Sequence, residues 1–264
     1  MKKIMSIMLV AVMLVTSLFA LASCNNSDSD LQYVKDKGEL VVGITDYAPM
    51  DYKEEGSDEW IGFDADLANE FAKSLGVKCK FIVIDWDYKV SELDTKEIDL
   101  IWNGMTATDE LDEKIDFSVS YAKNAQVAVV KNGSAVTLDT VKTSTIAVEG
   151  GSAGATVAEE TVKGTKINKV DDQAKALAEV VAGTSDVAIV DITMAQSLVG
   201  KGIYSDLKIL EGASYGDEIF AVGLRTGSDI KAELDAFLKA QYANGKMTAL
   251  ATKYEVGLNT EALK

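Results

Sequence analysis

The sequence predicts an α/β fold on three observations. From Glu39 onward, short β-rich runs alternate with amphipathic helical stretches, the pattern of a largely parallel sheet flanked by helices. The chain has 264 residues, 47% of them apolar, enough for one large domain or two ordinary ones, each with its own core. Two stretches, "KEIDLIWNG" and "GTSDVAIVD", each set an aspartate ahead of an apolar strand whose far end is polar. Two ordinary buried strands would explain them, but ligands of open α/β sheets gather beyond the carboxyl ends of strands, so those polar ends are candidate site positions.

Taken in order, "ELVVGIT" reads as a buried strand. In "FDADLANEFAKSLG", Leu67, Ala68, Phe71, Ala72 and Leu75 share one face at helical spacing, and Gly76 suits the C-terminal cap. "VKCKFIVI" alternates with period two and puts Cys79 on its apolar side, as a small core residue. "IDLIW" is another buried strand. The scheme then repeats with "QVAVVK", "TIAVE", the helical "ATVAEETVK", the helix "DDQAKALAEVVAG" closed by Gly183, and the strand "DVAIVD". "EIFAVGL" and a helix from about Ser228 to Asn244 finish the chain, with Arg225, its only arginine, in the turn between them.

Before the first strand, Lys2 and Lys3 precede an uncharged apolar stretch from Ile4 to Leu21, ending in Leu21-Ala22-Ser23-Cys24. Order and polarity are those of an export signal; an uncleaved membrane anchor is the structural alternative. A small residue before cysteine at this point resembles the lipobox of bacterial lipoproteins, which implies a signal peptide over 1–23, a lipid on Cys24 that ties the protein to the cell membrane, and a tether over 24–37. Cys79 then has no disulfide partner.

The composition excludes several classes. A formal charge of −16 argues against nucleic acid, which needs basic patches. Histidine is absent, removing the commonest general base and metal ligand. No phosphate loop is present, "EGGSAG" lacks dinucleotide-fingerprint spacing, and no cofactor or metal is expected. What remains suits the binding of a small polar molecule. In "GMTATDE", Thr108 fits a helix N-cap with Asp109 and Glu110 in the first turn, leaving Gly104, Thr106 and their N–H groups for a ligand. "EGGSAGAT" runs from strand to helix, and the N–H groups of Ser152 and Ala153 would point at an anion, or simply belong to a capped turn.

In combination, "GELVVGITDYAPMDY", "GFDADLANEFAKSLG", "EIDLIWNGMTATDE", "IDFSVSYAKNAQVAVV", "GTSDVAIVDITMA" and "AVGLRTGSDI" resemble the extracytoplasmic solute-binding proteins of ABC importers, amino-acid type, over about Gly38 to Tyr254. The resemblance implies a two-lobed periplasmic-binding-protein fold of type II. Each lobe is a mostly parallel sheet flanked by helices, lobe 1 spans 38–121 and 221–264, and lobe 2 spans 122–220. Two crossover hinge strands fall near Tyr121 to Ala125 and Gly216 to Phe220. It further implies a monomer that passes its ligand to ABC permease subunits, and a binder rather than an enzyme. Tyr47 and Trp86 match the aromatic positions that sandwich the ligand, though either could be a packing residue. The Gly104 carbonyl and Thr106 hydroxyl match acceptors for its ammonium, and Asp191 matches the acid that pairs with it; an N-cap is the structural alternative for Asp191.

One departure matters. The family pattern reads Thr-x-x-Arg where this chain has Leu111, and that arginine would grip the ligand's α-carboxylate with a paired hydrogen-bond fork. Arg225 aligns with a surface turn of the other segment of lobe 1. Two ligand classes therefore stay open. One is an amino acid whose carboxylate is held by N–H groups of Thr106, Ser152 and Ala153 with help from Lys123; the other is an amine or other cation lacking that carboxylate. Relatives of the same architecture include dehydratases of small carboxylic acids and the sensor modules of receptor kinases, and these stand as rival functions.

Overall fold

The computed structural model describes residues 29–264, so the expected signal peptide and Cys24 lie outside the described residues. The first lobe carries strands β1 (Glu39–Ile44), β2 (Lys78–Val83), β3 (Leu100–Ile101) and β4 (Asp116–Phe117). The second carries β5 (Ala122–Lys131), β6 (Thr145–Glu149), β7 (Lys166–Val170), β8 (Val187–Asp191) and the long β9 (Leu207–Phe220), after which β10 (Gly223–Leu224) returns to the first. The resulting five-stranded sheets have the orders β2-β1-β3-β10-β4 and β7-β6-β8-β5-β9. The chain passes between them twice, from Tyr121 into β5 and out of β9 at Phe220, and these two segments pair antiparallel, Ala122 opposite Phe220 and Asn124 opposite Glu218.

Each sheet is parallel only in its strand–helix–strand half. β1 pairs in parallel with β2 and β3, and β6 with β7 and β8. The strands that return or cross over, β10, β4, β5 and β9, pair antiparallel. The expectation of mostly parallel sheets thus describes the pairing of three strands in each sheet, β2-β1-β3 and β7-β6-β8. Only β10 in the first sheet and β5 in the second run against the other strands; β4 and β9, each antiparallel to that one strand, run with the rest.

Period two sets the layers. In β1, Leu40, Val42 and Ile44 face α2 (Phe63–Leu75; α1 is described below), meeting Leu67 and Phe71, while Val41 faces Ile84, Leu93 and Ile98 on the other side. Gly76, at φ 78°, closes α2 by donating its N–H to the carbonyls of Ala72 and Lys73. In the second lobe, Val127, Val129, Ala147, Ala188 and Val190 face one core, and Ala128, Val130, Ile146, Val148, Val187 and Ile189 the other.

The two aspartates noticed in the sequence do the same job twice. Asp99 accepts from the Val41 N–H at 2.7 Å and Asp186 from the Thr145 N–H at 2.8 Å, and each donates its own N–H to the same residue's carbonyl. Each thereby fixes a strand against the start of its parallel neighbour and sets the register that delivers polar residues at the far end.

Three expectations differ from what is observed. Residues 30–37, assigned to the tether, form α1 (Asp30–Lys37), capped by the Ser29 side chain and packed onto the first lobe through Val34. Arg225, expected on a surface turn, is only 8% exposed. Its Nε donates to Asp30 at 2.8 Å, and its Nη1 to the carbonyls of Leu93 and Ile98 at 2.9 and 2.8 Å. Asp99 lies 3.6 Å from its Nη2. Cys79 is half-buried against the core, and burial pushes its thiol up to about 12. Removing Arg225 strands two carbonyls and leaves the buried Asp30 and Asp99 carboxylates with only Lys96 and Lys37 as cations. Arg225→Ala is expected to cost about 3–5 kcal/mol, read as a lowered urea midpoint, with Lys restoring only part of it.

Candidate ligand-binding site

The two sheets point the carboxyl ends of their parallel strands at one another. Between them lies a cavity of about 360 Å³. β3 delivers Asn103, Gly104 and Thr106, β6 delivers Glu149, β8 ends in Asp191, and the turn after β2 brings Trp86. Ser152 and Ala153 line it from the start of the short helical turn Ala153–Thr156.

Asp191 occupies the N-cap position of the helix Ile192–Leu198, but its side chain makes no capping bond. The carboxylate turns into the cavity wall and accepts from the side-chain amides of Asn124, Gln126 and Gln173. Asn124 and Gln126 serve a second acid as well: Glu218 on β9 accepts from them at 2.8 and 3.0 Å, and from the Thr106 hydroxyl at 3.0 Å. Three amides and no cation surround Asp191 among the described residues. Burial, then the nearby Glu218, push its carboxyl up to about 6, against the hydrogen bonds.

Of the residues singled out in the sequence, Trp86, Gly104, Thr106, Ser152, Ala153 and Asp191 line this cavity, as does Leu111. Tyr47 does not. It is buried behind Gly104, edge-on to Phe220 with ring centroids 6.4 Å apart, and its hydroxyl lies near Asp191 without a well-formed hydrogen bond. Gly104 has φ 57°, and a Cβ there would come within 2.6 Å of the Tyr47 ring, so that ring sets the shape of the turn. Ser152 is turned inward: its N–H and hydroxyl both donate to the Glu149 carbonyl, and its hydroxyl accepts from the Ala155 N–H. It closes its own turn instead of offering itself to an anion. Lys123 is exposed and borders a separate hollow with Asp217 and Glu218. It is not a wall of the main cavity.

"EGGSAG" has a different use from the one its sequence suggested. A Cβ on Gly150 would meet the Asp87 carboxylate at 2.6 Å, and one on Gly151, at φ 64°, would meet the Asp87 Cα at 2.9 Å. The glycines let the backbones of the two lobes touch.

Sequence reasoning missed several wall residues, among them Gln126, Gln173, Lys89 and Glu149. Gln126 and Gln173 looked like ordinary polar positions in a strand and a helix start. Lys89, in "DWDYKVSE", gave no sign of burial, yet it is 7% exposed. Glu149, the last residue of "TIAVE", is 3% exposed, and its Oε1 has no hydrogen-bond partner. The signal available was its place at the end of a parallel strand, equivalent to the ends already selected.

Burial pushes the Glu149 carboxyl up to about 8; Asp191 and Asp172 act in the same direction, while Thr45 and Lys89 act against it. An acid raised in the folded state keeps a proton that the unfolded chain has released. Its contribution is therefore lost as pH climbs from the ordinary glutamate value of 4.5 toward about 8. The Tm of the ligand-free protein is expected to fall between pH 5 and pH 8. Glu149→Gln should flatten that slope without abolishing it, since Asp64, raised by burial to about 7, titrates in the same window.

Comparison with known proteins agrees with this architecture. Residues 40–257 match the model of the bacterial extracellular solute-binding proteins, family 3. The chain is 31% identical over 231 residues to the L-cystine-binding protein TcyJ of Escherichia coli (strain K12), covering 85% of each chain. It is 29% identical over 254 residues to the arginine-binding extracellular protein ArtP of Bacillus subtilis (strain 168), covering 90% of this chain and 94% of that one. A solved structure of an ABC uptake transporter substrate-binding protein from Streptococcus pneumoniae with bound histidine superposes with a TM-score of 0.78 at 28% identity, over 87% of this chain and 97% of the other. With two α/β lobes and a cavity between their strand ends, the chain belongs to the bacterial extracellular solute-binding proteins of family 3.

Proposed function

We propose that the protein captures an amino acid in the interlobe cavity, with the α-ammonium on Asp191, and delivers it to an ABC permease after the lobes close. The observation that carries this is the electrostatic state of Asp191: buried, lining the cavity, beside a second acid, and held by amides alone. Neutral donors only partly offset two carboxylates in a low-dielectric site, and an arriving ammonium supplies the missing charge. The relatives named for cystine and arginine, and the structure holding histidine, support an amino acid as the ligand class. In this reading lobe 1 is 38–121 with 221–264, lobe 2 is 122–220, and the paired segments of β5 and β9 form the hinge. The protein works outside the membrane, tied to it by a lipid on Cys24, and as a monomer.

Trp86 and Thr106 take the roles the resemblance gives them: one covers the ligand's side chain, the other presents hydroxyl lone pairs to the ammonium. Tyr47 acts from behind, by shaping Gly104. The protein is a receptor and not an enzyme in this reading. Glu149 supplies the kind of protonated acid a dehydration needs, but Leu111 leaves no arginine fork for a substrate carboxylate. Leu111 also favours a second reading, in which the guest is an amine without the carboxylate.

Calorimetry with amino acids and their decarboxylated amines separates the two, since binding confined to the amines overturns the first. Asp191→Asn removes one partner of a desolvated pair and is expected to weaken whichever ligand binds by about tenfold to a thousandfold or more. Affinity in the unmodified protein should rise from pH 5 to pH 7, as Asp191 ionises through about 6.

A further inference from the structure

Three lysines line the cavity; Lys114 and Lys169 are paired with Glu110 and Glu159, and Lys89 is the one that the absence of arginine at 111 makes conspicuous. It opens the helix α3 (Lys89–Asp94) on the first lobe, and its ammonium spans the gap. It donates to the Trp86 carbonyl at 3.0 Å on its own lobe and to the Gly151 carbonyl at 2.8 Å on the other. Both partners are neutral, and no carboxylate lies within ion-pairing distance of it among the described residues. Lys89, Leu111, Gly104, Thr106 and Asp191 line the same cavity.

Three facts make this more than a strut between lobes. An ammonium has three N–H donors, and the two carbonyls use two. A buried charge held by neutral groups alone is poorly compensated, whereas a single carbonyl-to-carbonyl link could be made by a neutral donor. Burial pushes the Lys89 ammonium down, as does Lys114, while Glu149, Asp87 and Glu110 act upward from beyond ion-pairing distance, so no direct ion pair uses up its charge. The cavity thus has an unpaired positive group, Lys89, and an unpaired negative one, Asp191. That is the complement of a zwitterion.

We propose that Lys89 anchors the ligand's α-carboxylate, the role that an arginine at position 111 would otherwise fill. This rests on the amino-acid reading of the cavity. A single ammonium grips a carboxylate as a point charge, without the paired fork of a guanidinium, so the site tolerates more variation in how the carboxylate is turned.

The test is a calorimetric comparison of L-arginine, L-cystine and L-histidine with agmatine, cystamine and histamine, in the unmodified protein, Lys89→Met and Lys89→Arg. The unmodified protein is expected to bind at least one of the acids at least about tenfold more tightly than its amine. In Lys89→Met that preference should collapse to near parity while affinity for the amine stays within about threefold, the loss falling on the carboxylate alone. Lys89→Arg keeps the charge and should keep the preference, which leaves the proposal open to refutation even if the Met variant folds poorly. Equal weakening of acid and amine in Lys89→Met, or loss of the preference in a folded Lys89→Arg, would show a lobe-to-lobe strut and overturn the proposal. If the unmodified protein binds none of these acids, the amino-acid reading fails before any substitution is made, and Lys89 has no carboxylate to hold.

Discussion

Two carboxylates sharing two amides organise this molecule. Asn124 and Gln126 lie on β5, Glu218 on β9, and Asp191 at the end of β8, so one hydrogen-bonded cluster joins the crossover segments to the cavity wall. The pairing of β5 with β9 sets Asn124 opposite Glu218, and that of β5 with β8 sets Gln126 opposite Asp191. Backbone register therefore brings the acids together, and register is hard to change, because a slip of one residue turns every side chain to the other face. The electrostatic cost of holding Asp191 and Glu218 close is built into the sheet. Any cation entering the cavity acts on the same strands through which the lobes are connected.

How much of this could be read from the sequence depended on whether a feature was local. Continuous apolar runs such as "ELVVGIT" and "DVAIVD" and the helical face of Leu67, Phe71 and Leu75 fall where they were expected, because burial on both sides of a strand or one side of a helix leaves a direct imprint. β7 was invisible: "KINKV" is half-exposed and rich in lysine, and it is a strand only because β6 pairs with it. α1 was invisible for a similar reason. Its fixed position depends on Arg225, 195 residues away, reaching back to Asp30.

The site divides along the same line. Gly104, Thr106 and Asp191 stand at ends of parallel strands, where topology gathers ligands, so their positions could be chosen from pattern. Tyr47 could not, since its burial behind Gly104 depends on Phe220 from the other end of the chain. Lys89 was hidden by the general rule that lysines are exposed, a rule that fails where a second lobe supplies a carbonyl. Similarly, the glycines of "EGGSAG" suggested an anion cradle because a glycine-rich turn before a helix usually leaves its N–H groups free. Here the free space is filled by Asp87.

That contact between lobes has an electrostatic consequence. Gly150 and Gly151 allow the turn at Asp87 to press against the second lobe, and the same approach brings the Gly151 carbonyl to Lys89. Apart from that carbonyl, Lys89 is held only from its own lobe, by the carbonyl of Trp86, three residues earlier in the chain, and by the Trp86 ring, 5.1 Å from its ammonium. With both carbonyls in place its ammonium is fixed, and the medium around it has lost water. A pair of unit charges interacts several-fold more strongly at an effective dielectric of about 20 than at the value of about 80 for bulk water. Lobe approach therefore orients the positive group and strengthens its attraction in one movement. Asp191 is already buried and oriented by residues of the second lobe and its crossover, so the two poles are prepared differently: the negative one by the fold, the positive one by closure. A guest carrying both charges gains from closure at one end and from pre-organisation at the other, which is the differential interaction with open and closed forms that a ligand-driven domain movement requires.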